Sequence, residues 1–276
     1  MSGSRVATLL LALCLVVGSA GVPLAGATTT DTTAATGASA APHGGLHIDF
    51  TTSLTPDRPG EVGVVAEFGI PDGVTSLTAE IPEGAEVTAT EGFRQRAPRE
   101  YEWTRTTDSP SLTYRLPVNE TVRRGREGAE TSGFLYVDTG DWALLKPPRL
   151  GVTYSGTGGR EPIRRSHSVG GPGVVGESLL FVGPVETTTR EVAGQRVRLA
   201  VPEAADLRPS RADVLDSLAG AARATTLGPA DDAVLAIAAP TDGVTYGSTG
   251  LQRGSSALWV RDAQPLDGPE SVWVHE

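Results

Sequence analysis

The 276-residue sequence contains one cysteine (Cys14), one lysine (Lys146) and one asparagine (Asn119). A single cysteine excludes any disulfide within the chain. Cys14 also sits inside the first apolar run behind Leu13, not behind Gly or Ala, which speaks against a lipid-attachment site. With lysine nearly absent, positive charge is almost all arginine. It is outweighed, 23 Lys and Arg against 33 Asp and Glu, for a net charge of -10. That balance speaks against nucleic acid as a partner, because phosphate binding needs clustered cations. The pairs Arg123-Arg124 and Arg164-Arg165 are too short to reverse it, and both read as solvated loops. The acidic, lysine-poor composition is halophile-like. Aromatics are only 5% and hydrophobic residues 39%, low but still compatible with a buried core.

Long apolar runs are also scarce. Val6 to Val17 is the exception, about a dozen residues behind Arg5 and ahead of Ala25-Gly26-Ala27, the pattern of a cleavable export signal. It is short for a membrane span of about 20 residues. Residues 1–27 are therefore read as a signal peptide and the protein as secreted or at the cell surface, with no membrane span after cleavage. Residues 28–44 are Thr/Ala/Ser-rich, without a periodic apolar face, and read as a linker.

Several chemistries lack their residues. There is no Gly-x-Ser-x-Gly elbow, and Gly170-Gly171-Pro172-Gly173 has no phosphate-binding lysine. Asp138-Thr139-Gly140 occurs once, whereas an aspartic protease needs two such carboxylates, so it reads as a turn. His43 and His47 flank Gly44-Gly45 at the entry to a strand and should point apart. His167 falls in a Gly/Ser-rich stretch and is expected to face solvent.

What the sequence does contain is β-periodicity. Leu46, Ile48 and Phe50 alternate with polar residues, and Val62–Ile70, Leu77–Ile81, Glu86–Thr90, Tyr101–Arg105 and Leu112–Leu116 follow at intervals of roughly ten residues. Pro59-Gly60, Pro71-Asp72-Gly73, Pro82-Glu83-Gly84 and Asp108-Ser109-Pro110 punctuate them. Phe134–Val137, Leu150–Tyr154, Ser178–Val182 and Val197–Val201 continue the pattern. Residues 45–204 thus predict a mainly β domain, an antiparallel β-sandwich or saddle-like sheet. Asn119-Glu120-Thr121 is a glycosylation sequon between strands.

At Pro209 the pattern changes. Val214, Leu215, Leu218 and Ala222 fall at helical spacing between Ser210, an N-cap with Asp213 at N3, and Gly228-Pro229. Ala233–Ala239, apolar at nearly every position, predicts a strand buried on both faces in a mixed sheet against that helix. Residues 205–276 are read as the incomplete start of an α+β domain.

The order helix, buried strand, Gly250-Leu251-Gln252-Arg253…Ser256 strand, then Val272-Trp273-Val274-His275-Glu276 resembles the opening of a gluzincin zinc-metallopeptidase domain, thermolysin-like, most of all the glycyl-aminopeptidase-like branch. There the edge strand reads roughly Gly-Leu-Glu-His-x-x-Ser, so Gln252 and Arg253 depart from it. The resemblance implies peptide-bond hydrolysis on a peptide or protein substrate. It makes Gly250–Val260 a substrate-binding edge through Gly250, Leu251, Gln252, Arg253 and Ser256. It also makes His275 the first zinc ligand and Glu276 the general base of an H-E-x-x-H helix. The second histidine and third ligand of that motif are not in the sequence. Zinc is therefore expected only if the chain continues past Glu276, and the chain as written is expected to be inactive. The other reading of Gly250–Val260 is an ordinary hairpin arm whose Leu251, Leu258 and Trp259 pack in a core. Two further whole-chain readings are a non-catalytic exported β-rich binding module and a pseudo-enzyme that keeps the peptide edge without the metal.

Overall fold

A computed structural model describes residues 45–124, 131–157, 162–192, 195–224, 233–254, 256–266 and Trp273. The signal peptide, the linker, His43, His275 and Glu276 lie outside the described residues. In chain order the strands are β1 (His47–Leu54), β2 (Glu61–Gly69), β3 (Val74–Glu80), β4 (Glu86–Glu91), β5 (Phe93–Ala97), β6 (Glu100–Trp103), β7 (Ser111–Pro117), β8 (Glu120–Arg124), β9 (Thr131–Asp138) and β10 (Ala143–Leu145). They continue as β11 (Gly151–Gly156), β12 (Arg164–Val169), β13 (Gly173–Val175), β14 (Leu180–Val182), β15 (Val185–Val192) and β16 (Gln195–Pro202). The helix α1 (Arg211–Ala224) follows, then β17 (Ala233–Ala239), β18 (Gly250–Arg253) and β19 (Ala257–Arg261).

Four sheets result, ordered β12-β1-β2-β7-β4, β11-β3-β6-β5, β13-β14-β10-β9-β8 and β15-β16-β17-β19-β18. The alternation read from the sequence decides the inward faces of the first two. Leu46, Ile48 and Phe50 are buried with Val62, Val64, Ala66 and Phe68, while Asp49 and Thr51 stay partly exposed. Phe68 of β2 meets Phe93 of β5 edge to face, with ring centroids 5.0 Å apart. The two sheets therefore share one core, in a chain that is mainly β as the strand spacing predicts. The third sheet adds Tyr136, Leu144, Leu180 and Phe181 to the same core.

The fourth sheet is mixed. β16, β17 and β19 run parallel to one another in turn, and β15 and β18 close the two edges antiparallel. β17 is buried on both faces, as its unbroken apolar run predicts. Leu235, Ile237 and Ala239 join the main core. Ala236 and Ala238 face a second core with Leu199, Val214, Leu215, Leu258, Val260 and Trp273. The helix sits on that second face and starts where expected. The Asp213 backbone N–H donates to Ser210 Oγ at 3.1 Å, and that hydroxyl donates to the Asp213 carboxylate at 2.6 Å. This departs from the usual capping box, in which the acid reaches the N-cap amide.

Two knots fasten this sheet. The segment before β18 docks on β9 through main chain alone: Phe134 N–H donates to the Thr245 carbonyl at 2.9 Å, and Gly247 N–H donates to the Phe134 carbonyl at 3.1 Å. The approach is so close that a Cβ on Gly133 would lie 2.4 Å from the Gly247 nitrogen and the Tyr246 carbonyl carbon. The second knot is Asp262, just past β19 and only 1% exposed. Its carboxylate accepts from Asp206 N–H at 2.8 Å, Thr241 N–H at 3.3 Å and the Thr241 hydroxyl at 2.6 Å.

Several expectations need correction. Arg123 and Arg124 do not lie in a loop: they close β8, paired antiparallel with Ser132 and Thr131 of β9. Arg164-Arg165 and His167 do not lie in a loop: they belong to β12, which pairs parallel with β1 in an otherwise antiparallel sheet. Both arginines remain exposed. Gly250–Val260 is two strands of a hairpin, turned at Gly254 with φ of 63°. The mixed sheet also reaches back through β16 and β15 to Val185, ahead of the residue-205 boundary, because Arg196–Ala200 pair in register with Ala233–Ile237. Finally, His167 is only partly exposed. Its ring stacks on Phe50, centroids 5.0 Å apart, and its Nδ1 is buried with no hydrogen-bond partner among the described residues.

His167 yields a pH prediction. Burial holds its imidazole below the ordinary value, and the charges of Arg149 and Arg165 push the same way. The folded state therefore prefers the neutral ring, while the unfolded chain takes up a proton near about pH 6.5. The contribution to stability is present above that value and is lost as pH falls through the folded-state pKa. Urea denaturation at pH 7.5 and 5.5 should show His167→Phe losing less stability on acidification than the parent protein. Equal losses would refute the assignment.

Candidate functional site

The hairpin β18–β19 is built from opposite halves. Its inner arm is core: Ala257, Leu258, Trp259 and Val260 are all buried, with Trp259 against Tyr246 at 4.8 Å between ring centroids. Its outer arm, Gly250–Arg253, is the edge of the sheet, and no strand pairs with its far side among the described residues. An exposed edge of this kind can accept an extended chain through main-chain hydrogen bonds.

The structure separates the sequence-predicted edge residues. Gly250 is buried and Leu251 half-buried, while Gln252 and Arg253 are exposed. Ser256 is not on the edge. It is 6% exposed, and its carbonyl accepts from Leu235 N–H at 2.8 Å, tying the hairpin to β17. The edge is partly capped: Ser248 Oγ donates to the Gly250 carbonyl at 2.5 Å and Ser178 Oγ to the Arg253 carbonyl at 2.8 Å. Leu251 packs on the main core and Leu258 and Trp259 are buried, so the hairpin-arm reading describes β19, while β18 alone lies at the sheet edge.

Beside Arg253 lies a cleft of about 470 Å³. Its floor includes the buried residues Tyr136, Leu145 and Pro147, and its rim carries Glu120, Lys146 and Arg149. Distant segments deliver these groups: Glu120 opens β8, Tyr136 lies in β9, and Lys146 and Arg149 follow β10. Lys146 Nζ pairs with the Glu120 carboxylate at 2.7 Å and stands 4.8 Å above the Tyr136 ring. The Tyr136 hydroxyl is buried without a hydrogen-bond partner among the described residues. Burial raises its pKa; the Arg253 charge opposes that and the Glu120 charge adds to it, so both groups lie within electrostatic reach of this oxygen.

Other chemistry-bearing groups are structural. Asn119 Oδ1 accepts from Asp138 N–H at 2.8 Å, so the sequon asparagine pins the end of β9. Asp138 ends in a turn, as expected, with its carboxylate accepting from Gly60 and Gly140 N–H at 3.0 Å each. Burial nevertheless raises its pKa, with those backbone donors pulling the other way. Ser166 and His47 both bind the same oxygen of Asp49, so the carboxylate stands between them and no Ser–His nucleophile forms. Among the described residues no group of three or more His, Cys, Asp or Glu side chains could hold a metal ion. No described helix is long and apolar enough to cross a membrane.

No protein-family profile and no curated protein matches the sequence. The chain is similar to solved peptidase-family structures. One is the M1 zinc metallopeptidase from Deinococcus radiodurans, at 13% identity and a TM-score of 0.41 over 80% of this chain and 61% of that one. Another is an aminopeptidase N family protein from Idiomarina loihiensis, at 10% identity and a TM-score of 0.47 over 81% of this chain and 45% of that one. The chain spans less than two thirds of the length of each of these two proteins.

Sequence reasoning missed the cleft. One signal was available: the only lysine of the chain stands in Lys146-Pro147-Pro148-Arg149, two cations framing two prolines.

Proposed function

We propose that this chain carries the β-rich amino-terminal region and the opening sheet of a gluzincin-type, aminopeptidase-like zinc metallopeptidase, and that β18 is its peptide-binding edge. In this reading residues 1–27 direct export and residues 28–44 tether the folded part. The observation that supports it most is the sheet itself. A helix lies between β16 and β17 in the chain, and the Gly-Leu-Gln-Arg strand, paired with β19 on one side only, ends at the rim of a cleft.

The described residues offer no zinc site, so no hydrolytic step is derived from them. His275 and Glu276 belong to the proposal through their sequence motif; a zinc ion there would supply carbonyl polarisation and an acidified water. What the described residues supply is capture. A peptide laid along β18 gains main-chain hydrogen bonds and is held extended, which presents its carbonyls in register. Gln252 stands where the resembled family has an acid, so recognition of a peptide amino group at this position would rest on a neutral amide.

Calorimetric titration with an extended apolar tripeptide tests the edge. Successive residues of a strand send their N–H groups to opposite sides, so of Leu251 and Gln252 one N–H points outward. One of Leu251→Pro and Gln252→Pro should therefore lose at least roughly tenfold in affinity while the protein stays folded. Peptide binding that survives both substitutions would sink the edge reading. An exported binding module with its contact surface elsewhere would then be favoured.

A further inference from the structure

We infer that the cleft beside β18 captures a free carboxylate carried on a short apolar chain, the C-terminus of a peptide whose backbone lies along β18. This rests on the edge reading and adds the class of peptide: short, with an apolar last residue and a free carboxyl end.

Three observations carry it. First, the cleft carries three cations and one carboxylate. Glu120 is committed to Lys146 at 2.7 Å, and neither Arg149 nor Arg253 forms an ion pair among the described residues. An unpaired guanidinium is matched to a carboxylate in shape and charge, and two of them outweigh the repulsion from one neutralised glutamate. Second, the Tyr136 hydroxyl has no hydrogen-bond partner among the described residues, and it belongs to a cleft-lining residue only 1% exposed. Leaving a buried donor unpaired is costly, and a carboxylate oxygen is the acceptor it lacks. Third, the rest of the cleft is apolar. Leu116, Val118, Leu145, Pro147 and Pro148 line it, so the anion it takes must bring hydrocarbon with it. Inorganic phosphate would leave those walls wet. The cleft's volume of about 470 Å³ falls within the range of about 300–1,000 Å³ usual for small-molecule sites.

The groups are also placed in the right order. Arg253 is the last residue of β18, so a chain running along the strand arrives at the cleft as it leaves the edge. The Ser178 hydroxyl caps the Arg253 carbonyl there, which closes the main-chain track and leaves the cleft as the place for the chain end.

The test uses the whole chain and calorimetry with three probes: acetyl-Ala-Leu-Phe as the free acid, the same peptide as its amide, and 4-phenylbutyrate, which has the carboxylate and the apolar body but no peptide backbone. The free acid should bind at least roughly tenfold tighter than the amide. The combined substitution Arg149→Gln with Arg253→Gln should erase that difference, and Tyr136→Phe should narrow it. Phenylbutyrate should bind, and should compete with the acid. Equal affinity for acid and amide would overturn carboxylate capture and leave the peptide edge standing. An acid preference that survives the double substitution would overturn these residues as its source. Phenylbutyrate binding that the double substitution abolishes, without binding of either peptide, would uphold the cleft and overturn the edge. Binding of none of the three would overturn both.

Discussion

Gly133→Ala is expected to lower the unfolding midpoint by roughly 6–12 °C, the effect of about 3 kcal/mol on a domain of this size. The reason is a collision with backbone. The added Cβ would stand 2.4 Å from the Gly247 nitrogen and the Tyr246 carbonyl carbon, and 2.7 Å from the Thr245 carbonyl oxygen. No rotamer change relieves a clash with main chain, so either β9 or the segment before β18 must withdraw. Withdrawal breaks the Phe134–Thr245 and Gly247–Phe134 hydrogen bonds. Gly171→Ala is the matched control, since nothing lies within 4 Å of its added carbon, and it should leave the midpoint unchanged. Calorimetric melting of the three proteins decides the matter. A Gly133→Ala protein that melts with the parent would mean that the docking is not formed in solution.

Asp262→Ala should be of similar size, a loss of about 4 kcal/mol in urea denaturation. The substitution strands the Asp206 and Thr241 amides and the Thr241 hydroxyl in a site where the carboxylate itself is 1% exposed. Those donors come from the loop before α1 and the turn after β17, so both lose their anchor together. Asp262→Asn keeps one acceptor oxygen and should fall between the alanine variant and the parent. A loss below about 1 kcal/mol for Asp262→Ala would mean that water replaces the carboxylate at no cost.

How much of this was legible in the sequence differs by element, for physical reasons. β17 was read to the residue, because a seven-residue apolar run, buried from Leu235 onward, leaves no polar position to blur its ends. The start of α1 was equally plain, because Ser210 and Asp213 satisfy each other locally. The polar edge strand β12 was read as loop. Arg164, Arg165, Ser166 and Ser168 give it no alternation, and its strand geometry comes from pairing with β1. β15, with Thr187, Thr188 and Thr189 at its centre, is hidden for the same reason: its partner β16 defines it. The hairpin was read as one strand because Gly254 interrupts a run that otherwise stays strand-like. Of the site, the edge residues Gly250–Arg253 were visible as a local pattern. The cleft was not, because Glu120, Tyr136, Arg149 and Arg253 come from separate stretches that only the fold brings together.

The β1–β12 pairing sets a schedule for synthesis. Thr51 and Ser168, whose hydroxyls meet at 3.0 Å, are 117 residues apart. At about 5–20 residues per second a ribosome takes roughly 6–23 s to cover that distance. Throughout that interval a nascent chain that has already formed β1 and β2 displays a bare row of amides and carbonyls to its neighbours on the polysome, a template for joining strands from another copy.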